Sequence, residues 1–98
     1  MSFEKAENFL LLAAKKYKLE RQARSALVCE RARKIIQDFY PDFLKIWNIK
    51  KFEHGVLFIS ADDSAAKTEL FLRTHEILEK WNTESFSDKI QEIRIVRK

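Results

Sequence analysis

A single glycine, Gly55, serves all 98 residues. It lies between two runs rich in β-formers, so the position that takes a positive φ at least steric cost stands where the chain must reverse. Reading outward from it, Phe52 to Asn82 is the organising stretch: the end of a strand, a tight turn at Glu53-His54-Gly55, the strand Val56-Leu57-Phe58-Ile59-Ser60-Ala61, and a helix opened by Asp62-Asp63-Ser64 and running to Trp81-Asn82. A chain with so few other corners has little choice but long helices before this stretch and one further strand after it.

The strands are read from alternation. In the run Phe43 to Phe52, Trp47 and Ile49 share one side, while Ile46 and Asn48 share the other. After the turn, Leu57 and Ile59 oppose Val56 and Phe58, and the two runs are close enough for an antiparallel hairpin. In the following helix, 64 to 82, Ala66, Leu70, Ile77 and Trp81 form a core stripe that Phe71 and Leu78 widen, and the aspartates at its start satisfy free amides. The last strand places Ile93 and Ile95 inward and Arg94 and Val96 outward, and a strand-helix-strand succession predicts that it runs parallel to a neighbour.

Upstream, Ser2 caps a first helix whose inner side is Phe3, Ala6, Leu10, Ala13, Ala14 and Tyr17, and a second helix runs from Leu19 to Phe39, stopped by Pro41. The second helix changes phase. Val28, Cys29, Ala32, Ile35, Ile36 and Phe39 form one face, but Leu19, Ala23, Ala26 and Leu27 lie nearly opposite at about 100° per residue. The helix either breaks near Ser25 or packs its first half on the first helix; small Ala23 and Ala26 favour the second arrangement. The expected fold is α/β (α+β) in the order ααββαβ, one domain over 1–98, with a helical basic region at 1–40, a ββαβ core at 43–98, and a three-stranded mixed sheet covered by helices.

The net charge of +4 is unevenly placed. Between residues 15 and 34, Lys15, Lys16, Lys18, Arg21, Arg24, Arg31, Arg33 and Lys34 face only Glu20 and Glu30, a local excess of six positive charges. Such a run points to an anionic partner such as nucleic acid, with a solvated helical surface as the alternative. The apolar run Phe9 to Ala14 is six residues, against the ~20 of a membrane span. No membrane association is expected, and the expected location is the cytoplasm.

Chemistry beyond charge is sparse. Cys29 is the only cysteine, and with His54 and His75 it makes no ligand spacing for zinc. Asp62 and Asp63 read as helix capping against an acid/base pair, and the histidines as a turn residue and a surface residue. The sequence holds no phosphate-cradling glycine loop and no nucleophile elbow, so no enzyme, cofactor, metal or small-molecule substrate is expected. Trp47 and Phe58 admit two readings: stacking platforms for unpaired bases on an open sheet face, or core residues on a covered one. The cations at the strand ends, Lys45, Lys50, Lys51, Arg94, Arg97 and Lys98, either add to a phosphate-contacting surface or guard sheet edges.

Phe52, Gly55-Val56-Leu57-Phe58-Ile59, Ser64-Ala65-Ala66 with Glu69-Leu70, Ile77-Leu78 with Asn82, and Ile93-Arg94-Ile95 together resemble the pattern of the DciA-like proteins, bacterial replicative-helicase loaders or operators. The resemblance is clearest from about residue 50 to 98 and continues more weakly through 19 to 40. It implies a KH-like domain that binds DNA and associates with the replicative DnaB-type helicase without hydrolysing nucleotide. Joined to the basic run, it gives a non-enzymatic DNA-binding accessory protein as the expected function. Lys15, Lys16, Lys18, Arg21, Arg24, Arg31 and Lys34 are the expected phosphate contacts, with Lys50 and Lys51 second. An RNA-binding KH-like factor of the ribosome-assembly type, and a pure protein-interaction domain using its basic helix, are the alternatives.

Overall fold

The computed structural model describes residues 3–97, with side chains described from Leu11 onward. Ser2, the expected first cap, and Lys98 lie outside the described residues, as do the side chains of Phe3, Ala6 and Leu10. The elements are helix α1 (Phe3–Phe39), a 3-10 turn (Pro41–Phe43), strand β1 (Trp47–Glu53), strand β2 (Val56–Ala61), helix α2 (Ser64–Thr83) and strand β3 (Glu92–Val96).

The two expected upstream helices are one helix of 37 residues. No glycine or proline interrupts this stretch, and its alanines, leucines, lysines, arginines and glutamates all favour helix, so nothing local breaks it. The change of phase is real but has another cause. Only the second half of α1 packs on the sheet, through Val28, Cys29, Ala32, Ile35 and Ile36, while every described residue from Leu11 to Arg24 is exposed. Leu19, Ala23, Ala26 and Leu27 therefore do not pack on another helix. Phe39, expected in the core, is half exposed beneath the Lys80 ammonium, and Tyr40 is buried in its place.

The projecting half of α1 sets the shape of the molecule. A helix of this length spans about 55 Å, and the principal extents are 60 × 29 × 18 Å. The radius of gyration of 17.3 Å exceeds the ~13 Å of a compact chain this long.

The sheet has the order β1-β2-β3, antiparallel between β1 and β2 and parallel between β2 and β3. β1 starts at Trp47 and not near Phe43, because Pro41 opens the 3-10 turn and Phe43 stacks on Trp47 at 4.4 Å between ring centroids. The hairpin turns on two residues with positive φ, His54 (51°) and Gly55 (79°), as a two-residue connection matched to strand twist requires. The Gly55 carbonyl accepts the Gln91 amide at 2.8 Å, which ties the turn to the segment entering β3.

One core forms on one face of the sheet. Trp47, Ile49, Leu57, Ile59 and Ile93 pack there with the buried side of α1 and with Ala66, Leu70, Ile77 and Trp81 of α2. Phe71, expected to widen that stripe, is instead 70% exposed, whereas Leu78 packs against the core. The two tryptophans keep their polar ends satisfied, Trp47 Nε1 donating to the Ala66 carbonyl and Trp81 Nε1 to that of Asp88, each at 2.9 Å. Asp63 caps α2 by accepting the Ala66 amide at 2.8 Å.

α1 also closes the outer edge of β1. Ser25 Oγ accepts the Phe52 amide at 3.0 Å and Arg33 Nη2 donates to the Ile49 carbonyl at 3.3 Å. These bonds occupy groups that an edge strand would leave unpaired. The helices gather on one side, so the expectation of a covered sheet holds for one face. On the other, Lys51, Phe58 and Arg94 stand in one row across the three strands.

Candidate nucleic-acid interface

The projecting part of α1 overhangs the hairpin turn and the segment between α2 and β3. Together they enclose an open cleft of about 750 Å³. α1 contributes Tyr17, Lys18, Arg21 and Arg24; the hairpin contributes Lys51, Phe52, Glu53 and His54; and the segment before β3 contributes Asp88 and Lys89. Five lysines and arginines line the cleft against two carboxylates, a surplus able to hold phosphate.

Each position has a local cause. Tyr17, Arg21 and Ser25 follow one another at spacings of four, with Lys18 three before Arg21, along the helix side that continues into the buried Val28 and Cys29. Where the sheet ends, that side changes from apolar to basic. Ser25 marks the switch through its bond to Phe52, which anchors α1 against β1. Lys51 reaches the cleft after a register irregularity between Ile49 and Lys51, a bulge that re-aims the strand.

The carboxylates array the cations. Glu53 receives Arg21 Nη2 at 3.0 Å and Lys51 Nζ at 3.1 Å, and the His54 imidazole stands 3.6 Å away. Asp88 receives Arg24 Nε at 3.4 Å. Such exposed pairs are each worth about 0 to 1 kcal/mol, so their effect is chiefly to orient long side chains. The hydrogen bond and charge of Lys51 hold the Glu53 carboxyl below its usual range, with Arg21 and His54 adding to them and burial opposing. Among the described residues, Lys18 and Lys89 have no carboxylate within ion-pair distance.

Of the nine cations expected from sequence, the cleft brings together Lys18, Arg21, Arg24 and Lys51. Lys15 and Lys16 lie exposed on the projecting helix, and Lys34 lies beside Leu27 on a different side of α1. Arg31 lies over the Phe86 ring at 4.6 Å, and Lys50 is exposed at the β1 irregularity. Lys89 and His54 were missed as site residues. Lys89 stands far from the basic run in the chain, and no local signal links the two.

The paired readings of Trp47 and Phe58 divide. Trp47 is core, 2% exposed. Phe58 is half-buried on the opposite face, with Lys51 Nζ 5.0 Å and Arg94 Cζ 5.6 Å from its ring centre. Arg94 is also bound to Glu92 at 3.0 Å, so this row is closer to electroneutral than the cleft. His75 pairs with Glu79 at 3.0 Å on the surface of α2. Burial pushes the Cys29 thiol up, against a bond from Ser25.

Among the described residues no group of three or more His, Cys, Asp and Glu is placed to hold a metal ion, and no helix is long and apolar enough to cross a membrane. No curated protein gives a significant match to the chain. The family described as “Dna[CI] antecedent, DciA” matches residues 13–95, which include the basic overhang, the hairpin turn and the three strands apart from Val96. With that match spanning nearly the whole sheet, most of α1 and all of α2, the chain belongs to the DciA family, which is associated with loading of the DnaB replicative helicase.

Proposed function

We propose that this protein is a non-enzymatic accessory of the replicative DnaB-type helicase that holds DNA in the cleft beneath the projecting half of α1. The observation that carries the reading is the convergence of Lys18, Arg21 and Arg24 with Lys51 and Lys89 from three separate segments of chain. A basic run on a helix is common, whereas a cleft that gathers cations from distant segments is a feature of the fold.

Tyr17 lies on the cleft wall, with Arg21 Cζ 5.8 Å from its ring centre. An aromatic face and an array of cations are the two elements with which proteins hold unpaired strands, by stacking bases and tracking phosphates. The ion pairs at Glu53 and Asp88 are weak enough for phosphate to replace the carboxylates. Arg21, Arg24 and Lys51 are then available to the strand without a change of fold. The ββαβ order with its parallel last strand supports a KH-like reading of the domain, although backbone clamping through a GxxG loop has no counterpart here.

The test compares binding of single-stranded DNA, duplex DNA and structured RNA at low salt, using the intact protein and the variant Lys18→Glu/Arg24→Glu. Binding of a DNA strand that the double variant loses supports the reading. Equal binding by variant and parent, or preference for structured RNA, overturns it. Retention of the helicase after nuclease treatment, by parent and variant alike, separates the helicase association from the DNA contact.

A further inference from the structure

The face of α1 turned away from the sheet carries a pattern that neither the core nor the cleft uses. Leu12, Leu19, Ala23, Ala26 and Leu27 fall within an arc of about 100° on the helix surface, and all five are exposed. Leu12 is 66% and Leu19 65% exposed. Lys15 and Arg33 fall on one margin of this stripe and Lys16 and Lys34 toward the other, while Glu20 lies just beyond that second margin and Glu30 within the stripe. Toward its C-terminal end, Leu27, Gln37, the cations Arg31, Arg33 and Lys34 and the acids Glu30 and Asp38 frame a hollow of about 580 Å³.

We infer that this stripe is the seat of a protein partner, which docks an amphipathic helix whose apolar side is flanked by aspartate and glutamate. The two alanines let a second helix approach closely, and leucines at both ends offer the apolar contact. Charge complementarity selects the occupant. The margins of the stripe hold Lys15, Lys16, Arg33 and Lys34 against Glu20 and Glu30, a local excess of two positive charges, which sets cation against cation when a second copy pairs along this helix. It attracts a helix with acidic margins. Nucleic acid is a poorer match for this face, because aliphatic side chains give bases no ring to stack on. A membrane surface is a poorer match as well, because among the described residues the stripe has no tryptophan or phenylalanine.

This inference rests on the family's association with a protein partner and is independent of the DNA contact. The probe is a synthetic amphipathic peptide of about 20 residues, long enough to form helix, made in two forms with the same leucine stripe and either Glu or Lys margins. Fluorescence anisotropy with the full chain is expected to show at least tenfold tighter binding of the Glu form. Leu19→Glu/Leu27→Glu is expected to lose tenfold or more with an unchanged circular dichroism spectrum. Lys16→Glu/Lys34→Glu reverses the preference between the peptides. Leu72→Glu on α2 leaves it unchanged, and so does Lys18→Gln/Lys89→Gln, which tests the cleft.

Equal binding of the two peptides, or no binding of the Glu form, overturns the inference. It is also overturned if Leu19→Glu/Leu27→Glu binds like the parent. A concentration-dependent dimer that Leu27→Glu abolishes assigns the stripe to a second copy, and capture only by phosphatidylglycerol vesicles assigns it to a membrane. Either result refutes the inference.

Discussion

Replacing Lys18 and Lys89 together by glutamine removes two cleft cations without breaking an ion pair of the described residues. Arg21, Arg24 and Lys51 remain, already neutralised in part by Glu53 and Asp88. On a single strand, each phosphate neutralised contributes about 0.7 to the slope of log affinity against log salt. If the five cleft cations all engage, the parent slope is about 3.5 and the variant slope about 2.1. Between 50 and 200 mM salt the parent then loses roughly a hundredfold in affinity and the variant roughly twentyfold. The assay is anisotropy of a labelled oligothymidylate across that salt range, with Lys16→Gln/Lys34→Gln as the control on the other side of α1. A slope that falls by less than about 0.5 in the cleft variant refutes the cleft as the phosphate track. So does an equal fall in the control. Denaturation midpoints of parent and variant should agree, because neither lysine contributes to the core.

Three further outcomes follow from the packing. Ser25→Ala leaves the Phe52 amide without its acceptor and is expected to lower stability by about 1 to 3 kcal/mol in urea unfolding; a change within error shows that water replaces the hydroxyl. Gly55→Ala places a Cβ at φ +79° and 3.2 Å from the Gln91 side chain, so a loss of about 1 kcal/mol or more is expected. In that test Gly55→Ala/Gln91→Ala recovers only the part due to contact, and full recovery contradicts the backbone-strain argument. Glu53 has its carboxyl held below the 4.5 of the free group, so its contribution is present above pH 4.5 and disappears as pH falls through the lower folded value. Glu53→Gln should therefore flatten the acid limb of stability against pH, and an unchanged limb contradicts the sign.

Much of this fold is legible residue by residue. The stripe Ala66, Leu70, Ile77 and Trp81, the alternation of Leu57 and Ile59, the parallel last strand and the positive φ of Gly55 are read from local pattern and appear as such in the structure. They are legible because helix and strand periods assign side chains to faces, and because a positive φ has few suitable residues. The family was legible from the same positions. The site was legible only as a tendency, a helical run with more positive charge than its surroundings.

What the tertiary structure decided concerns which faces are covered. Helix propensity is equally good on both sides of Ser25, so the sequence is compatible with two helices or one; the bond from Phe52 and the burial of Val28 and Cys29 fix where packing begins. Alternation in β2 sets Phe58 on the face opposite Ala61, the partner of Trp47, but does not say which face is covered; the fold buries Trp47 and leaves Phe58 between two cations. Lys89 meets Arg24 and Lys51 only because the Gly55 carbonyl holds Gln91 beneath the overhang. Sequence alone thus determined the three strands, helix α2, the turn and the charge of α1. The fold decided that half of this helix would stand clear of the core, with a basic cleft on one side and an exposed leucine stripe on the other, because contacts between distant segments choose which faces are buried.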